Sequence, residues 1–586
     1  IILENNSVII DNNAQCSTLT GQSYAKITIS DNDTLFTEEL SLKTAINDSS
    51  TATLINHGWL SSTNDQSIQK HTYSAQLANM SPPISNGTSG VYNSKDEELF
   101  FWDVPLKNYQ QITDNSTPLE VMRGYIFRNS SSDTTVTYNG TINQGEQSYS
   151  LQINSEDTLY RHWNLAGNPY PAPIDWNSND WNKTNIINSV YFHQKNSDQP
   201  CAYVNGITNP KGCFDGIIDP MSTFWIYAKN EGNLIVGRSA QTTIQTSEPS
   251  NNQTIEKGIR LSVSDSEDSY TTLLNFNNSA SLEFDNEYDA HHLSVPKLYN
   301  TISPGIYTIE NDTNNLAINT IPDESKFRIY IGLSLAHSGN HTIEATELTG
   351  FYKSIYLVDI NTGNWTDLTK NNYTFSASPG KYDNRFVITS MAPVNLDEPI
   401  IIDHASRELS VIPKRWTDSA RQNLHIGYGH TSHGGQIPTG MNALEAFFTD
   451  GTYNWSNSGG TGELHLFEGN MWSQDGYLGK DVGYVGWDDE TREYLNDYPD
   501  CNVIIWAWCG IENTVVDRDV MSHYLQPMNQ LEQEYPNVYF VYMTGPLGGL
   551  GPNGAIKQAN DSIREFCETN NKILYDFADI EKYDPD

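Results

Sequence analysis

Short alternations of apolar and polar residues fill the chain up to about Asn395. Tyr24–Ser30, Glu120–Phe127, Thr223–Ala228 and Phe327–Leu333 are each rich in aromatic or β-branched residues and bounded by Asn, Asp, Gly or Pro. That is the mark of half-buried strands joined by turns. No window of about 12 residues in this part keeps a helical period. The pattern predicts all-β structure of the β-sandwich class. It divides into an all-β region at 1–240, with room for two small subdomains, and a β-sandwich at 257–392. A Ser/Thr/Gln/Pro-rich linker, Ser239–Glu256, lies between them, and Met391–Pro399 marks a second boundary.

After Pro399 the period changes. Asn423–Gly429 reads as a strand running into a turn, and Gly440–Phe448 as a helix. Cys501–Trp508, Val538–Met543 and Lys572–Phe577 are nearly continuous apolar runs, while Val520–Tyr535 and Ala555–Asn570 carry helical spacing. Strands alternating with helices predict an α/β domain over 400–586, with a parallel sheet covered on both faces. Ligands of such folds sit beyond the carboxyl ends of the strands. One rim is therefore expected to gather Gly429–Gly435, Cys509–Asn513, Gly545–Gly549 and Asp576–Glu581. Trp506 and Trp508 share strand parity and so share a face. Tyr428, Trp472, Tyr477, Tyr484 and Trp487 add to an aromatic content that suits sugar faces or an ordinary core.

Charge narrows the partners. The 33 basic and 72 acidic residues among 586 give a net charge of −39. Such a surface repels phosphate backbones and anionic lipid, which argues against nucleic acid and polybasic membrane docking. No run approaches the roughly 18 apolar residues of a membrane helix, so no transmembrane segment is expected. The chain opens on Ile1, not Met, which is compatible with a removed leader. Asn-x-Ser/Thr sequons begin at Asn5, Asn32, Asn47, Asn79, Asn86, Asn115, Asn129, Asn139, Asn182, Asn252, Asn277, Asn311, Asn340, Asn364, Asn372, Asn454 and Asn560. This exceeds what composition alone would supply and points to an extracellular or cell-surface glycoprotein. Plain Asn richness is the competing account.

Six cysteines are too few for a disulfide scaffold but fit local staples. Cys201 and Cys213 enclose a short Asn/Gly/Pro-rich stretch and are the best pair. Any two of Cys16, Cys501, Cys509 and Cys567 could form another. No spacing reads as a zinc site, and no cofactor is expected. The acidic runs Asp31–Asp33, Asp265–Asp268 and Asp584–Asp586 offer oxygen ligands for structural calcium. None fits the twelve-residue calcium loop, and a solvated turn is the better account of each.

The blocks after residue 400 resemble the SGNH/GDSL hydrolases, in a branch whose first block reads Gly-His-Thr-Ser-His-Gly. Here it is Gly429-His430-Thr431-Ser432-His433-Gly434, followed by Ile505–Gly510, Phe540–Gly545 and Asn571–Glu581. The first part resembles β-modules of large secreted Bacteroidetes-type or archaeal surface proteins. The residues that carry this second resemblance are Trp163–Trp176, Gly216–Trp225, Tyr288–His291, Leu316–Pro322 and Tyr373–Ile388.

The hydrolase resemblance implies Ser432 as nucleophile; His430 and His433 flank it and either could act as base, though side chains one or two positions away rarely aim at the serine oxygen. It also implies a three-layer α/β fold and a late Asp-x-x-His block. After Asp576 the chain has Asp579 and Glu581 but no histidine. Where the branch reads Met-Thr-Gly-His-Leu-Asp-Gly, this chain has Pro546 and Gly548, neither of which moves a proton. The expectation is a surface or matrix protein that self-associates through its β-domains into a filament, sheath or layer and carries a degenerate hydrolase-like domain. The alternative is a secreted carbohydrate esterase or deacetylase that uses Ser432 on polysaccharide.

Overall fold

The computed structural model describes residues 1–45, 50–92, 97–129, 132–154, 162–194, 197–243, 255–311, 314–323, 327–350, 354–390, 396–407, 409, 412, 414–469, 477–483, 486–512, 519–548 and 551–583. The chain forms two compact units. The first holds Ile1–Asp323, Tyr330–Tyr352 and Asn371–Asn384; the second holds Glu324–Ile329, Lys353–Lys370 and Arg385–Asp586.

The first unit is β-rich, as its alternation predicts, but it begins in an unexpected way. Sandwich strands joined by hairpins pair antiparallel. Here Ile2–Leu3, Ala14–Gly21, Thr34–Leu42 and Trp59–Ser62 lie side by side in parallel. Ser7–Ile10, Lys26–Ile29 and Thr53–Asn56 form a second parallel sheet. The chain thus winds in coils, each giving one strand to each sheet. The register stacks Val8 on Ile27 on Leu54, and the inward side chains Leu19, Ile27, Ile29, Leu35, Leu42, Leu54 and Leu60 are buried. Turns between strands use left-handed residues, Asn32 at φ 68° among them, a conformation Asn tolerates well. Ser7–Ile10 is the first strand of the second sheet.

Antiparallel sheets follow. Gln76–Met80, Glu97–Asp103, Asn108–Ile112 and Tyr125–Asn129 form one. Of Glu120–Phe127, expected as strand, Tyr125–Phe127 are strand and Glu120–Gly124 lie before it. Trp163–Gly167, Val190–His193, Pro200–Val204, Ile207–Asn209 and Thr223–Tyr227 form another. Phe100, Trp102, Trp163 and Trp225 pack in one core with Leu273, Leu293 and Ile318. The strands before and after the linker therefore share apolar burial. Residues 244–254 of that linker lie outside the described residues. Cys201 and Cys213 form the expected disulfide, with Cα atoms 5.8 Å apart. Cys16, Cys501, Cys509 and Cys567 are free thiols.

The second unit carries a parallel sheet of seven strands among the described residues. Its order is Ile400–Ile402, Ile573–Tyr575, Tyr539–Met543, Val503–Trp506, His425–Gly429, Leu464–Gly469, Trp455–Ser456. Alternation along each strand sends Ile504 and Trp506 to one face, where Tyr494, Leu495, Met528, Leu531 and Ile563 from three helices cover them. Val503, Val541 and Met543 face the other way, with Ile437 and Met441 of the helix Gln436–Phe447 packed against them. Helices on both faces make this the β-then-α/β architecture that the change of period predicts. The helices Lys414–Asn423 and Trp487–Asp497 and the strand Leu464–Gly469 add to those expected.

Candidate functional site

Chain order reverses at His425–Gly429. Leu464–Gly469 pairs on one side of it and Val503–Trp506 on the other. The crevice beyond the carboxyl ends of the strands at such a switch point is where ligands of open α/β sheets bind. Gly429 ends the first strand against the Trp506 ring, so close that a Cβ there would lie 2.5 Å from it. The chain then turns through His430 and Thr431 into a single 3-10 turn, Ser432–Gly435. Gly434 is buried, and a Cβ on it would meet His430 Cβ at 2.5 Å. The Tyr428 hydroxyl ties the turn by donating to the Gly434 carbonyl at 2.9 Å.

Ser432 is exposed on this turn. Among the described residues its hydroxyl has no hydrogen-bond partner. His430 is buried and points elsewhere: Nδ1 lies 2.9 Å from the Thr431 carbonyl and Nε2 lies 3.2 Å from Glu468 Oε1. The His433 ring sits 5.6 Å from that of Phe577. The two histidines beside the serine are thus packed into the scaffold.

Asp481, which the sequence did not single out, occupies the crevice. Its carboxylate accepts from the Cys509 amide at 2.8 Å and the Gly510 amide at 2.5 Å, just beyond Val503–Trp506. The Thr431 side chain bonds to it as well, and burial pushes this carboxyl up to about 6. Cys509 is buried and its thiol is raised by burial, so it does not ionise readily. Paired backbone amides at this position are the type of donor that stabilises a developing oxyanion. Here they are taken by a side chain of the same protein.

The rest of the rim is likewise engaged. The Gly545 amide donates to Asn560 Oδ1 at 2.8 Å, the Pro546 carbonyl accepts from Asn560, and the Leu547 amide donates to Glu581 Oε2 at 2.8 Å. Gly548 approaches Ile556, where a Cβ would lie at 2.2 Å. Asp576 is buried and accepts from Arg564 at 2.6 and 2.7 Å and from the Thr544 hydroxyl at 3.0 Å. Asp579 accepts from His404, which holds its carboxyl below the usual range. The described rim residues named from the sequence are therefore brought to the strand ends; Asn513 and Gly549 lie outside the described residues.

Among the described residues the aromatics do not form a platform there. Tyr428, Trp487, Trp506 and Trp508 are buried, and the Trp506 indole donates to the Thr491 hydroxyl at 2.9 Å. The Tyr477 hydroxyl bonds to Asp497. Trp472 and Tyr484 lie outside the described residues.

Two side-chain groups, among the described residues, could gather around a metal: His425, His465 and Asp500, and Asp403, His404 and Asp579. In the first, His425 Nδ1 lies 2.9 Å from Asp500 and Nε2 2.8 Å from the Tyr494 hydroxyl. In the second, Asp403 caps its own turn and His404 binds Asp579. Hydrogen bonding accounts for both. The turn at Asp265, suggested for calcium, is closed by the amides of Glu267 and Asp268 and by His337. Asp584–Asp586 lie outside the described residues.

Among the sequons, Asn5, Asn32, Asn86, Asn115, Asn139, Asn182, Asn340, Asn364 and Asn372 are exposed, and Asn79, Asn277 and Asn454 are half-buried. Asn129 and Asn560 need correcting as acceptors. Both are buried, and their side chains hold the Ser132 carbonyl and the Gly545 backbone. Asn311 sits in a strand. Asn47 and Asn252 lie outside the described residues.

Comparison with known proteins adds the following. No curated protein matches the chain. The solved structure of a family two carbohydrate esterase from Cellvibrio japonicus shares 13% identity, with 46% of this chain and 84% of that chain covered, at a TM-score of 0.15. That likeness is too slight to bear on fold or activity. A family model described as a domain of unknown function, DUF8693, matches residues 1–209 and 229–389, more than half of the chain. The chain belongs to this DUF8693 family.

Proposed function

We propose that the protein is an extracellular, glycosylated structural protein whose C-terminal α/β domain serves as a rigid block without acyl-transfer activity. What carries the reading is occupancy: the groups that acyl transfer would use are already bound within the chain. His430 is held by Glu468 and the Thr431 carbonyl, the amides after the central strand are held by Asp481, and Asp576 is held by Arg564. A nucleophilic serine needs a base within reach and donors free for the oxyanion. Self-association through the β-domains is part of the same reading: Phe36 and Trp59, on neighbouring strands of the first unit, are exposed, and exposed sheet surfaces and edges are where further strands or copies pack.

The test is a panel of p-nitrophenyl acetate, longer acyl esters and acetylated polysaccharide, assayed with the wild type and with Ser432→Ala. Equal, background rates are the expected result. Turnover that disappears in the alanine variant would establish the esterase reading in its place. Sedimentation of the wild-type chain as a strict monomer at high concentration would remove the self-association.

A further inference from the structure

The sequons fall into an order that their spacing along the chain does not show. Four of them lie in strands with the asparagine side chain exposed: Asn139 in Thr134–Gly140, Asn182 in Trp181–Asn182, Asn340 in Gly339–Thr349 and Asn364 in Asn364–Asp367. Among the described residues each sits where its strand has a neighbour on one side only. Thr134–Gly140 pairs with Gln66–Thr72, Trp181–Asn182 with Gly232–Val236, and Asn364–Asp367 with Tyr356–Asp359. Gly339–Thr349 is an inner strand, but its pairing with Gly258–Ser264 stops at Thr342, so Asn340 faces only Ser376. Asn129 is the opposite case: its strand is paired on both sides there, and it is buried.

A single-sided position leaves backbone N–H and C=O groups open to a strand from another chain. Proteins guard such edges with charged side chains, proline or bulges. The chain has 72 acidic and 33 basic residues, yet Thr134–Gly140 and Trp181–Asn182 contain no charged residue and no proline. In Asn364–Asp367 the one charge is Asp367, which is buried and paired with Lys370. Asn340 is flanked by Gly339 and the buried His341. The pairing at all four positions runs without a bulge. The usual guards are therefore missing from these positions.

Each position has a glycan acceptor instead. At Asn182 the Oδ1 accepts from the Thr184 amide at 3.1 Å and from its hydroxyl at 2.7 Å. Nδ2, the nitrogen that carries a glycan, has no partner there among the described residues. A glycan is bulky and hydrated. Standing on an outermost strand, it occupies the space that an incoming strand needs. We propose that N-linked glycans at Asn139, Asn182, Asn340 and Asn364 guard these open strand positions against pairing with other copies of the chain. The proposal rests on the glycoprotein reading given above and gives these four sequons a role that the turn sequons Asn32 and Asn115 do not share. Association is thereby confined to surfaces without a sequon, such as the edge Trp59–Ser62, which pairs with Thr34–Thr37.

The test makes the full chain in a host that glycosylates Asn-x-Ser/Thr and in one that does not. Glycopeptide mass spectrometry of the first product should find all four sites occupied. The combined variant Asn139→Gln, Asn182→Gln, Asn340→Gln, Asn364→Gln from that host should form sheet aggregates, read as thioflavin T fluorescence roughly fivefold above wild type. The control Asn32→Asp with Asn115→Gln should stay at the wild-type level. From the non-glycosylating host the four-site variant and the wild type should aggregate alike, which separates loss of the glycan from any effect of glutamine itself. If the four sites are bare while turn sequons are occupied, the guarding role falls and the glycoprotein reading stands. If no sequon is occupied, both fall. The proposal is also overturned if the four-site variant from the glycosylating host aggregates no more than wild type, or if the control aggregates as much as that variant.

Discussion

The two units differ in how they hold their titratable groups. In the α/β unit every ionisable group named at the rim has a partner: Asp576 with Arg564, Asp579 with His404, His430 with Glu468, and Asp481 with two amides. In the β unit several imidazoles are enclosed among rings and kept neutral, and His193 and His292 hold ring nitrogens with no partner. The lesson concerns where function sits. A motif rich in catalytic residue types can have its histidine and its carboxylates paired within the chain, while a β region whose sequence announces no chemistry encloses neutral imidazoles.

Acid should separate the units most strongly. His193 and His291 titrate near 3 and His292 near 4 in the folded chain, against about 6.5 when unfolded. These depressed values mean the unfolded chain binds more protons between about pH 4 and 6.5. Stability from these groups is therefore full above about 6.5 and falls as the pH drops. At pH 5 each histidine costs about 2 kcal/mol. Asp289, raised to about 7 by burial, works the other way and offsets about 2 kcal/mol of the total. The β unit should lose about 4 kcal/mol between pH 7 and 5, while the α/β unit holds. Calorimetry at the two pH values reads this as one transition moving down alone. Transitions that move down together would erase the contrast.

Single substitutions sharpen it. Arg564→Met strands the Asp576 carboxylate in the α/β core, at a cost of about 3 kcal/mol, and should lower only that unit's melting transition. Cys201→Ser opens a bridge of sequence separation 12, worth about 2–3 kcal/mol, and should lower only the β unit's. Either variant shifting both transitions equally would mean that the units melt as one.

What the sequence made legible follows the same divide. After Pro399 period located four strands of the sheet, because a parallel strand buried on both faces is a continuous apolar run such as Val503–Trp506; Ile400–Ile402, Trp455–Ser456 and Leu464–Gly469 escaped it. Position after a strand then brought Gly429–Gly435 and Asp576–Glu581 to one rim. The coils of residues 1–62 were not legible, since Lys26–Ile29 alternates identically whether its neighbour runs parallel or antiparallel. Asp481 escaped notice because it comes from a glycine-bounded loop, Gly479–Gly483, with no spacing to the blocks it serves. The order among the sequons escaped because Asn-x-Ser/Thr reads the same on an inner strand as at an open edge, and only strand pairing tells Asn139 from Asn129.

The smallest effect tests the plug in the switch-point crevice. Asp481 has a folded value near 6, raised by burial, against about 3.9 unfolded. A raised carboxyl binds its proton more tightly when folded, so its contribution is most favourable at low pH and declines as the pH rises from about 4 to 6. Above that range the ionised group costs about 3 kcal/mol relative to its protonated form. Asp481→Asn keeps one carbonyl acceptor for the Cys509 and Gly510 amides and removes the titration. Whatever fixed cost the amide brings, the variant's stability relative to wild type should improve by about 2 kcal/mol between pH 4 and 7 and then level off. Urea titrations of the α/β transition at pH 4, 5.5 and 7 measure the difference. A variant whose relative stability is flat across that range would show that Asp481 titrates normally, and that the two amides after the central strand are not held by a buried carboxylate.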